Sequence, residues 1–412
     1  MLSVIGMTTP FDLNLRHLRA LDLIVELGSM SAAAAAVNLT QPALTQGLAK
    51  LERQLGRALF DRHPDGVLPT EAGLLIAGRA QAAFAHLGSA ARAALRGGSR
   101  GFARPEQLMT ATQVRAYLAL ADAGSFVGAA AATGLSQPAL HRAVRDLEQI
   151  GGVVLVERRG RGVQLTDAGR RLARGIRLAI GEIGAVIAEL DDDDRGAGIV
   201  RIGAMPMARA RVLPSAIAAF QRGTPRATVD IVEGSWRELV EPLNDGVLDL
   251  MIGALRDEAP PGLAQTPLFE DRLVVVGRAG HPLAGCIPTV EQLAQFGWIV
   301  GRAGTPLMAH WLTLFRSTPA PIAPIECGSV LVIRGVLADS DLLTLLSPDQ
   351  VALEIASGML TTIGEPLTHG TRTIGITTRA DWRPTRAQRR LLTLLEAAAK
   401  DKNSGKLMIA PQ

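Results

Sequence analysis

Apolar residues recur at helical spacing in two short segments of the first half of the chain. In residues 40–51 the apolar face is formed by Leu44, Leu48 and Leu51. In residues 136–148 it is formed by Leu140, Val144 and Leu147. This spacing is typical of an amphipathic helix that packs one face on a core. Each segment opens with a hydroxyl residue suited to an N-cap, followed by proline in the first turn, where no amide donor is required.

The two segments belong to a longer repeat, in which the residue pattern returns after a shift of 96 positions. The shift aligns the string Thr70-Glu71-Ala72-Gly73 with Thr166-Asp167-Ala168-Gly169, without a gap. Before each amphipathic segment stands a residue that tolerates the left-handed conformation that ends a helix, Asn38 in one copy and Gly134 in the other. The pattern predicts two helix-turn-helix domains, each with a β-wing, and the amphipathic segments are their recognition helices.

Beyond Gly198, short apolar runs alternate with amphipathic segments of about ten residues. The runs that predict strands are 199–203, 228–232, 248–253, 273–277, 298–300, 342–346 and 373–376. The segments that predict helices are 212–222, 235–244 and 385–400. Strands that alternate with helices predict a mostly parallel α/β sheet.

These patterns predict a multidomain protein in which two helix-rich winged units precede an α/β domain. The predicted segments are a winged helix-turn-helix over 13–73, a linker helix over 74–95, a second winged helix-turn-helix over 109–169, a second linker helix over 170–194, and the α/β domain over 197–402. A basic, glycine-rich stretch at 96–101 separates the two units, and an aspartate run at 191–194 closes the second linker helix.

Charge is unevenly distributed along the chain. Residues 1–190 hold 21 Lys and Arg against 15 Asp and Glu, whereas the remaining residues hold 22 against 24. A basic front half fits an electrostatic approach to DNA phosphates by that half alone. Aromatic residues make up only 3% of the 412 residues, which argues against base-stacking platforms for single strands.

The cysteine content indicates a reducing compartment. Cys286 and Cys327 are the only cysteines, and they have no metal-binding spacing. The N-terminus lacks the pattern of a signal peptide, and no apolar stretch reaches the roughly 18 residues of a membrane span. We therefore expect a cytoplasmic protein with no metal, cofactor or membrane segment.

The outward faces of the predicted recognition helices carry side chains that can read DNA. Glutamine can bond adenine through two hydrogen bonds, and arginine can read guanine or clamp phosphate. The candidates in the first unit are Gln41, Pro42, Thr45, Gln46 and Lys50, with Arg62 at the wing. The candidates in the second unit are Gln137, Pro138, His141, Arg142 and Arg145, with Arg158, Arg159 and Arg161 at the wing.

The two predicted readers are not equivalent. The first has no arginine on its outward face and has Gly47 inside the helix, which costs roughly 1 kcal/mol relative to alanine. The second presents Arg142 and Arg145. We expect the second unit to supply most of the DNA affinity, while the first is a weaker reader or partly a dimerisation element.

The repeated string resembles that of the LysR-type transcriptional regulators. Its most specific parts are Ser/Thr-Gln-Pro-Ala-Leu, Leu-Glu and Thr-x-Ala-Gly, which occur at 40–44, 51–52 and 70–73 and again at 136–140, 147–148 and 166–169. The later half is similar to the family's effector-binding domain at Leu213-Pro214, Leu248-Asp249-Leu250 and His281-Pro282-Leu283. Such regulators normally carry a single N-terminal winged helix, so the second copy departs from the family pattern.

The resemblance implies a two-lobed α/β domain, like that of periplasmic binding proteins, with a small-molecule effector in the cleft between the lobes. It also implies double-stranded DNA as a partner and a homo-oligomer in which the helix after the wing pairs two subunits. Because this chain has two such helices, a pairing within one chain is a further hypothesis.

Ligands of open α/β sheets bind at the carboxyl ends of strands and at helix N-termini, where free amides favour anions. The effector-binding candidates on one side of the cleft are Met205, Pro206, Met207 and Gly253. The candidates across the cleft are Arg302, Thr305, Ser329 and Ser347. Arg302 is the best partner for a carboxylate or phosphate, although it could equally face solvent, and Thr305 and Ser329 could be ordinary helix caps.

Two other classes of function are alternatives to an effector-controlled regulator. One is a small-molecule binding or sensor protein whose N-terminal domains mainly mediate protein contacts. The absence of an export signal argues against a transport component of this kind. The other is an enzyme, but the seven histidines have no metal spacing and the chain has no phosphate-cradling loop. We expect no catalytic residues.

Overall fold

In the computed structural model of the chain, the described residues are 8–63, 66–94, 102–160, 162–190, 198–208 and 210–403, without the side chains of residues 62, 63, 66, 402 and 403. The basic stretch at 96–101 and the aspartate run at 191–194 lie outside these ranges. None of the helices in the described part of the chain combines the length and the apolar character that are needed to cross a membrane.

Two helical units have the same order of elements, and their boundaries agree within one residue after the shift of 96. The first contains α1 (Leu15–Leu27), α2 (Met30–Ala36), α3 (Gln41–Leu55), β1 (Phe60–His63), β2 (Gly66–Pro69) and α4 (Glu71–Ala94). The second contains α5 (Ala111–Ala123), α6 (Phe126–Thr133), α7 (Gln137–Gly151), β3 (Val156–Arg159), β4 (Gly162–Leu165) and α8 (Asp167–Leu190). Each strand pair is an antiparallel hairpin, as predicted for the wings.

The predicted helices are present but their ends differ from the expected positions. The predicted recognition helices run one turn further, and each ends at a left-handed glycine, Gly56 or Gly152. The linker helices α4 and α8 begin three residues earlier than expected, directly after Thr70 and Thr166. The predicted limits at residues 73 and 169 therefore fall inside continuous helices.

The C-terminal part is an α/β domain with two five-stranded sheets. The first sheet and its neighbours comprise β5 (Gly198–Ala204), α9 (Val212–Gly223), β6 (Ala227–Glu233), α10 (Trp236–Asn244), β7 (Leu250–Ala254), β8 (Leu263–Arg272), β14 (Thr371–Arg379) and α15 (Arg386–Asn403). The second comprises β9 (Val274–Arg278), α11 (Val290–Leu293), β10 (Trp298–Val300), α12 (Pro306–Leu314), β11 (Ile325–Glu326), α13 (Val330–Ala338), β12 (Leu343–Leu346), α14 (Ala352–Ala356) and β13 (Leu360–Ile363).

The expectation of a mostly parallel sheet is wrong, because both sheets are mixed. The strand orders are β6-β5-β7-β14-β8 and β11-β10-β12-β9-β13. In each sheet the first three strands are parallel and the last two pair in antiparallel fashion. An apolar run identifies a buried strand but carries no information on its direction, which explains the error.

The chain crosses between the two sheets twice. Only Leu273 separates β8 in the first sheet from β9 in the second, and residues 364–370 lead back from β13 to β14. The sheets have separate buried clusters, which centre on Phe220 in the first and on Trp298 in the second. The C-terminal domain therefore has two lobes that are joined by two adjacent crossover segments.

The linker helices α4 and α8 pack against each other in antiparallel orientation. Ala90, near the end of α4, lies against Gly175, near the start of α8: a Cβ atom added at Gly175 would stand 2.1 Å from the Ala90 Cβ and 3.0 Å from the His86 carbonyl oxygen. Small residues at this crossing let the two backbones approach closely, and both helical units share one buried core.

A buried arginine joins the two linker helices to the C-terminal domain. The Arg79 guanidinium on α4 donates to Glu182 Oε2 at 2.9 Å and to Glu189 Oε1 at 3.2 Å, both on α8. It also donates to the Arg383 carbonyl oxygen at 2.8 Å, while the Arg383 side chain donates to the Gly78 carbonyl at 3.0 Å. The three charged side chains are only 7%, 10% and 9% exposed.

The close crossing predicts opposite effects for two glycine substitutions in α8. Gly181→Ala places a methyl group in open space on an exposed helical position, so it should stabilise the protein by about 1 kcal/mol. Gly175→Ala should instead destabilise it by about 1–3 kcal/mol, because the methyl group overpacks the contact with Ala90. Urea unfolding followed by circular dichroism measures both, and an equal gain from the two variants would contradict this packing.

Candidate nucleic-acid interface and effector site

The bend between the second and third helix of each unit has the predicted left-handed residue. Asn38 has φ 54°, the one positive value outside glycine in the described residues, and Gly134 has φ 72°. The next helix is then capped by a hydroxyl group: Thr40 Oγ1 accepts from the Ala43 amide and Ser136 Oγ from the Ala139 amide. The predicted apolar faces of α3 and α7 are buried, so each opposite face is turned outward.

Equivalent contacts in the two units fix each outward-facing helix to its wing. Glu52 Oε1 accepts a hydrogen bond from the Leu59 amide at 2.9 Å, and Glu148 Oε1 accepts one from the Leu155 amide at 2.9 Å. The glycine of each Thr-x-Ala-Gly string packs closely against the carbonyl group of the same leucine. A Cβ atom at Gly73 would stand 2.1 Å from the Leu59 carbonyl oxygen, and one at Gly169 would stand 2.1 Å from the Leu155 carbonyl oxygen. The repeated Leu-Glu and Ala-Gly pairs are thus structural anchors.

In the first unit, the predicted candidates on α3 share one exposed face. These exposed residues are Gln41, Pro42, Thr45, Gln46 and Lys50. The Thr45 hydroxyl donates to the Gln41 carbonyl at 3.0 Å, so its proton is held within the helix. The side chain of Arg62 lies outside the described residues. These five candidates offer amide groups and one ammonium group but no guanidinium.

In the second unit, the structure brings most of the predicted candidates to one concave surface. This surface is lined by Gln137, Pro138, His141, Arg142, Arg145 and Arg158. Arg159 is exposed on the wing, where it donates to Gln164 Oε1 at 2.6 Å. Arg161 lies outside the described residues. The surface combines three guanidinium groups with an amide, which is the chemistry that binds phosphates and base edges.

His141 lines this surface but also packs against a neighbouring aromatic ring. Its ring is half-buried and stacks on Phe126 at the start of α6, with ring centroids 3.6 Å apart and an angle of 20° between the planes. The equivalent of Phe126 in the first unit is Met30, and that of His141 is Thr45. An aromatic residue at the start of α6 therefore gives the histidine a packing role that the sequence pattern did not reveal.

Gly47 in α3 is required by a neighbour on α1. A Cβ atom added at Gly47 would stand 2.5 Å from Cε1 and Nε2 of the His17 ring. Burial, followed by the nearby charges of Lys50 and Arg16, lowers the pKa of His17, so the ring is neutral at pH 7. The equivalent pair in the second unit is Ala143 with Gln113.

This pair predicts a strong coupling between two substitutions. Gly47→Ala alone should destabilise the first unit, because the methyl group would collide with the His17 ring. Combined with His17→Gln, which installs the pair of the second unit, it should instead gain about 1 kcal/mol of helix propensity. A double-mutant cycle by urea unfolding measures the coupling, and additive effects would show that the two residues do not meet.

The effector-binding candidates of the first lobe lie together but are largely buried. Met205 and Gly253 stand at the carboxyl ends of the parallel neighbours β5 and β7, and the Met205 side chain covers Gly253. Met205 packs in a cluster with Leu239 and Leu243, whereas Pro206 and Met207 are half-buried. The Met205 side chain therefore belongs to the lobe's core.

The candidates of the second lobe all follow the carboxyl ends of parallel strands, β10, β11 and β12. Arg302 is exposed, and Thr305 caps α12 by accepting from the Met308 amide at 3.4 Å. Ser329 is exposed at the start of α13. Ser347 is buried, and its hydroxyl donates to Asp271 Oδ1 at 2.5 Å. Arg302 and Ser329 thus remain accessible, while Thr305 and Ser347 are engaged within the protein.

Asp271 and Arg372 form a polar cluster at the crossover that the sequence did not indicate. The Arg372 guanidinium donates to Asp271 Oδ2 from Nε at 2.9 Å and from Nη2 at 2.7 Å, and Asp271 is buried. The two residues are register partners on β14 and β8. Their pairing depends on the register of strands a hundred residues apart, so no local pattern could have found it. Elsewhere in the described ranges, no group of His, Cys, Asp or Glu is arranged to hold a metal ion.

Comparison with known families covers both halves of the chain. The model described as LysR substrate binding domain matches residues 193–400. The model described as bacterial regulatory helix-turn-helix protein, lysR family, matches residues 15–74 and again residues 111–170. The chain belongs to the LysR family of transcriptional regulators. This LysR-family chain is therefore a DNA-binding transcriptional regulator with an effector-binding domain, and not an enzyme.

Two relatives are similar over much of this chain. The HTH-type transcriptional regulator GalR of Pseudomonas putida is 34% identical over 376 residues, which are 89% of this chain and 92% of the relative. The SDS degradation transcriptional activation protein of a Pseudomonas species is 34% identical over 253 residues, which are 60% of this chain and 82% of the relative.

Solved full-length regulators share the fold. A full-length OxyR variant of Pseudomonas aeruginosa matches with a TM-score of 0.57 and 24% identity, covering 71% of this chain and 95% of its own. LysG of Corynebacterium glutamicum, with bound effector Arg, matches with a TM-score of 0.52 and 19% identity. The match covers 70% of this chain and 97% of the LysG chain. These proteins are matched almost completely, yet they leave more than a quarter of this chain without a counterpart.

Proposed function

We propose that this LysR-type regulator carries its winged DNA-binding domain twice and binds double-stranded DNA through both α3 and α7. On this proposal a small-molecule effector controls the binding from the cleft of a two-lobed domain that resembles periplasmic binding proteins. The observation that carries the proposal is the identical anchoring of α3 and α7, by Glu52 and Glu148, with polar faces turned outward. Self-association of the chain stays a prediction.

The second unit supplies most of the affinity in this proposal. Arg142 and Arg145 are exposed on α7 and line one concave surface with Arg158. At the equivalent positions of α3 stand Gln46 and Ala49. Guanidinium groups bind phosphate and guanine with charge-assisted bonds, which neutral amides cannot match.

Substitution of the two arginines should weaken DNA binding more than substitution of the equivalent face of α3. Arg142→Ala with Arg145→Ala should lower the affinity of a selected duplex by about 2–4 kcal/mol and reduce the salt dependence of binding. Thr45→Ala with Gln46→Ala should cost about 1–2 kcal/mol and leave the salt dependence unchanged. Fluorescence anisotropy over a range of salt concentrations measures both quantities.

The matched control is Arg316→Ala, on an exposed arginine of the second lobe. It should leave both the affinity and the salt dependence as in the wild type. A larger loss from the α3 variant than from the α7 variant would overturn the assigned order of the two units. Deletion of the first unit would not serve as this test, because it would also uncover the face of α8 on which α4 packs.

The effector is proposed to be a small anion that binds at the carboxyl edges of the two sheets, with Arg302 as its charged partner. Arg302 is exposed directly after β10, and Ser329 is exposed after the neighbouring strand β11. The half-buried Pro206 and Met207 give the opposite edge an apolar character.

Thermal shift with a panel of dicarboxylates and sugar phosphates tests this assignment. A ligand at a hundred times its dissociation constant stabilises the folded state by about 2.7 kcal/mol, which raises the melting midpoint measurably. We expect the same compounds to stabilise the wild type and Arg316→Gln but not Arg302→Gln. Stabilisation that persists in Arg302→Gln would exclude the arginine as the anion partner.

A further inference from the structure

We infer that one chain contains a complete pair of DNA readers, because the contact between α4 and α8 pairs its two winged units. The partner that fits such a pair is a duplex with two dissimilar boxes at a fixed spacing. This inference rests on the proposed function, since it requires both α3 and α7 to contact DNA. It goes further by assigning the pairing to a single chain and by predicting an asymmetric target.

The linker helices α4 and α8 pack about a local two-fold axis. Ala90 on α4 lies against Gly175 on α8. After the shift of 96, the equivalents of these two residues are Val186 on α8 and Arg79 on α4. The Arg79 side chain bonds to Glu182 and Glu189, which lie one turn on either side of Val186. Both halves of the contact therefore involve equivalent positions of the two helices.

A second pair of contacts repeats this symmetry away from the helix crossing. A Cβ atom at Gly184 on α8 would lie 3.6 Å from Cγ of Pro10, in the segment that leads into the first unit. A Cβ atom at Gly88 on α4 would lie 3.8 Å from Cγ of Glu106, in the segment that leads into the second unit. After the shift of 96, Gly88 corresponds to Gly184 and Pro10 corresponds to Glu106. Each unit thus covers the linker helix of the other unit.

The charges make the pairing specific for α4 with α8. Arg79 is buried opposite two buried glutamates on α8. Two copies of α4 in the same geometry would set Arg79 against His86 and Ala93 instead, which would leave a buried cation without a carboxylate. Two copies of α8 would place both glutamates opposite Gly175. Because uncompensated buried charges are strongly unfavourable, self-pairing of either helix is disfavoured.

The antiparallel pairing also sets the separation of the two readers. Each reading unit is attached to the N-terminus of its linker helix, and these N-termini lie at opposite ends of the helix pair. A helix of 24 residues is about 36 Å long, which is close to the roughly 34–36 Å that separates half-sites one turn apart on DNA. The helix pair thus has the length needed to place two readers in successive major grooves.

The two reading faces differ at every central position, so the two boxes must differ. Thr45, Gln46, Ala49 and Lys50 on α3 correspond to His141, Arg142, Arg145 and Asp146 on α7. A symmetric dimer of a single reader selects a palindrome, because protein symmetry is mirrored in the site. A pair with unlike faces selects two unlike sequences in opposite orientation.

Selection from random duplex DNA with the full-length wild-type protein is the first part of the test. We expect two dissimilar boxes whose centres are about one helical turn apart, and an insertion of about five base pairs between them should abolish joint binding. Enrichment of no sequence would overturn the proposed function itself. A single box, or two identical boxes, would leave DNA binding intact and overturn this inference.

Mixing of two variants is the second part, and it separates pairing within a chain from pairing between chains. The first variant carries Gln41→Ala, Thr45→Ala and Gln46→Ala, and the second carries Arg142→Ala and Arg145→Ala. Each alone should bind a short duplex with one pair of boxes at least about tenfold more weakly than the wild type. Chains with α4–α8 pairing inside each chain cannot share readers, so co-refolded variants should bind no better than the stronger variant alone.

Recovery of wild-type affinity in the co-refolded mixture would overturn the inference, because it requires α4 of one chain to pair with α8 of another. A wild-type complex that contains one chain per short duplex in native mass spectrometry would agree with the inference. The Gly181→Ala variant, which leaves the helix crossing untouched, is the control for refolding, and it should bind as the wild type does.

Discussion

The packing of α4 against α8 determines how the rest of the protein is arranged. Close approach at Ala90 and Gly175 joins two helical units into one core. The buried Arg79 then bridges both helices to the Arg383 carbonyl of the C-terminal domain. A buried cation is tolerated only with carboxylate and carbonyl partners around it. This one side chain therefore fixes both the register of the helix pair and the position of the effector-binding domain against it.

The two helical units share the same internal supports, while their outward faces differ. Glu52 and Glu148 make the same hydrogen bond to the wing, and Gly73 and Gly169 leave the same space for a carbonyl oxygen. Substitution of these residues would break the hydrogen bond or fill the space that holds the helix to its wing. The outward positions make no contact with the wing of this kind, so unlike side chains are accommodated on the same scaffold. A single chain can in this way present two chemically different faces.

Short connections join the effector-binding domain to this scaffold. Its lobes meet where β8 runs into β9, and the cluster of Asp271, Arg372 and Ser347 closes that junction. The first lobe ends in α15, directly after the Arg383 that contacts α4. The contact of Arg383 with α4 therefore connects the first lobe directly to the helix pair.

The sequence by itself determined the local elements: the caps at Thr40 and Ser136, the left-handed Asn38, the buried faces of α3 and α7 and most strands. These depend on neighbours within a few positions along the chain, and so does the family string. Only the tertiary structure decided the strand directions, the stacking of His141 on Phe126, the pairing of Asp271 with Arg372 and the contact of α4 with α8. Each of these depends on residues that are close in space but distant along the chain. Hydrophobic periodicity shows that a face is buried but carries no information about which other face it packs against.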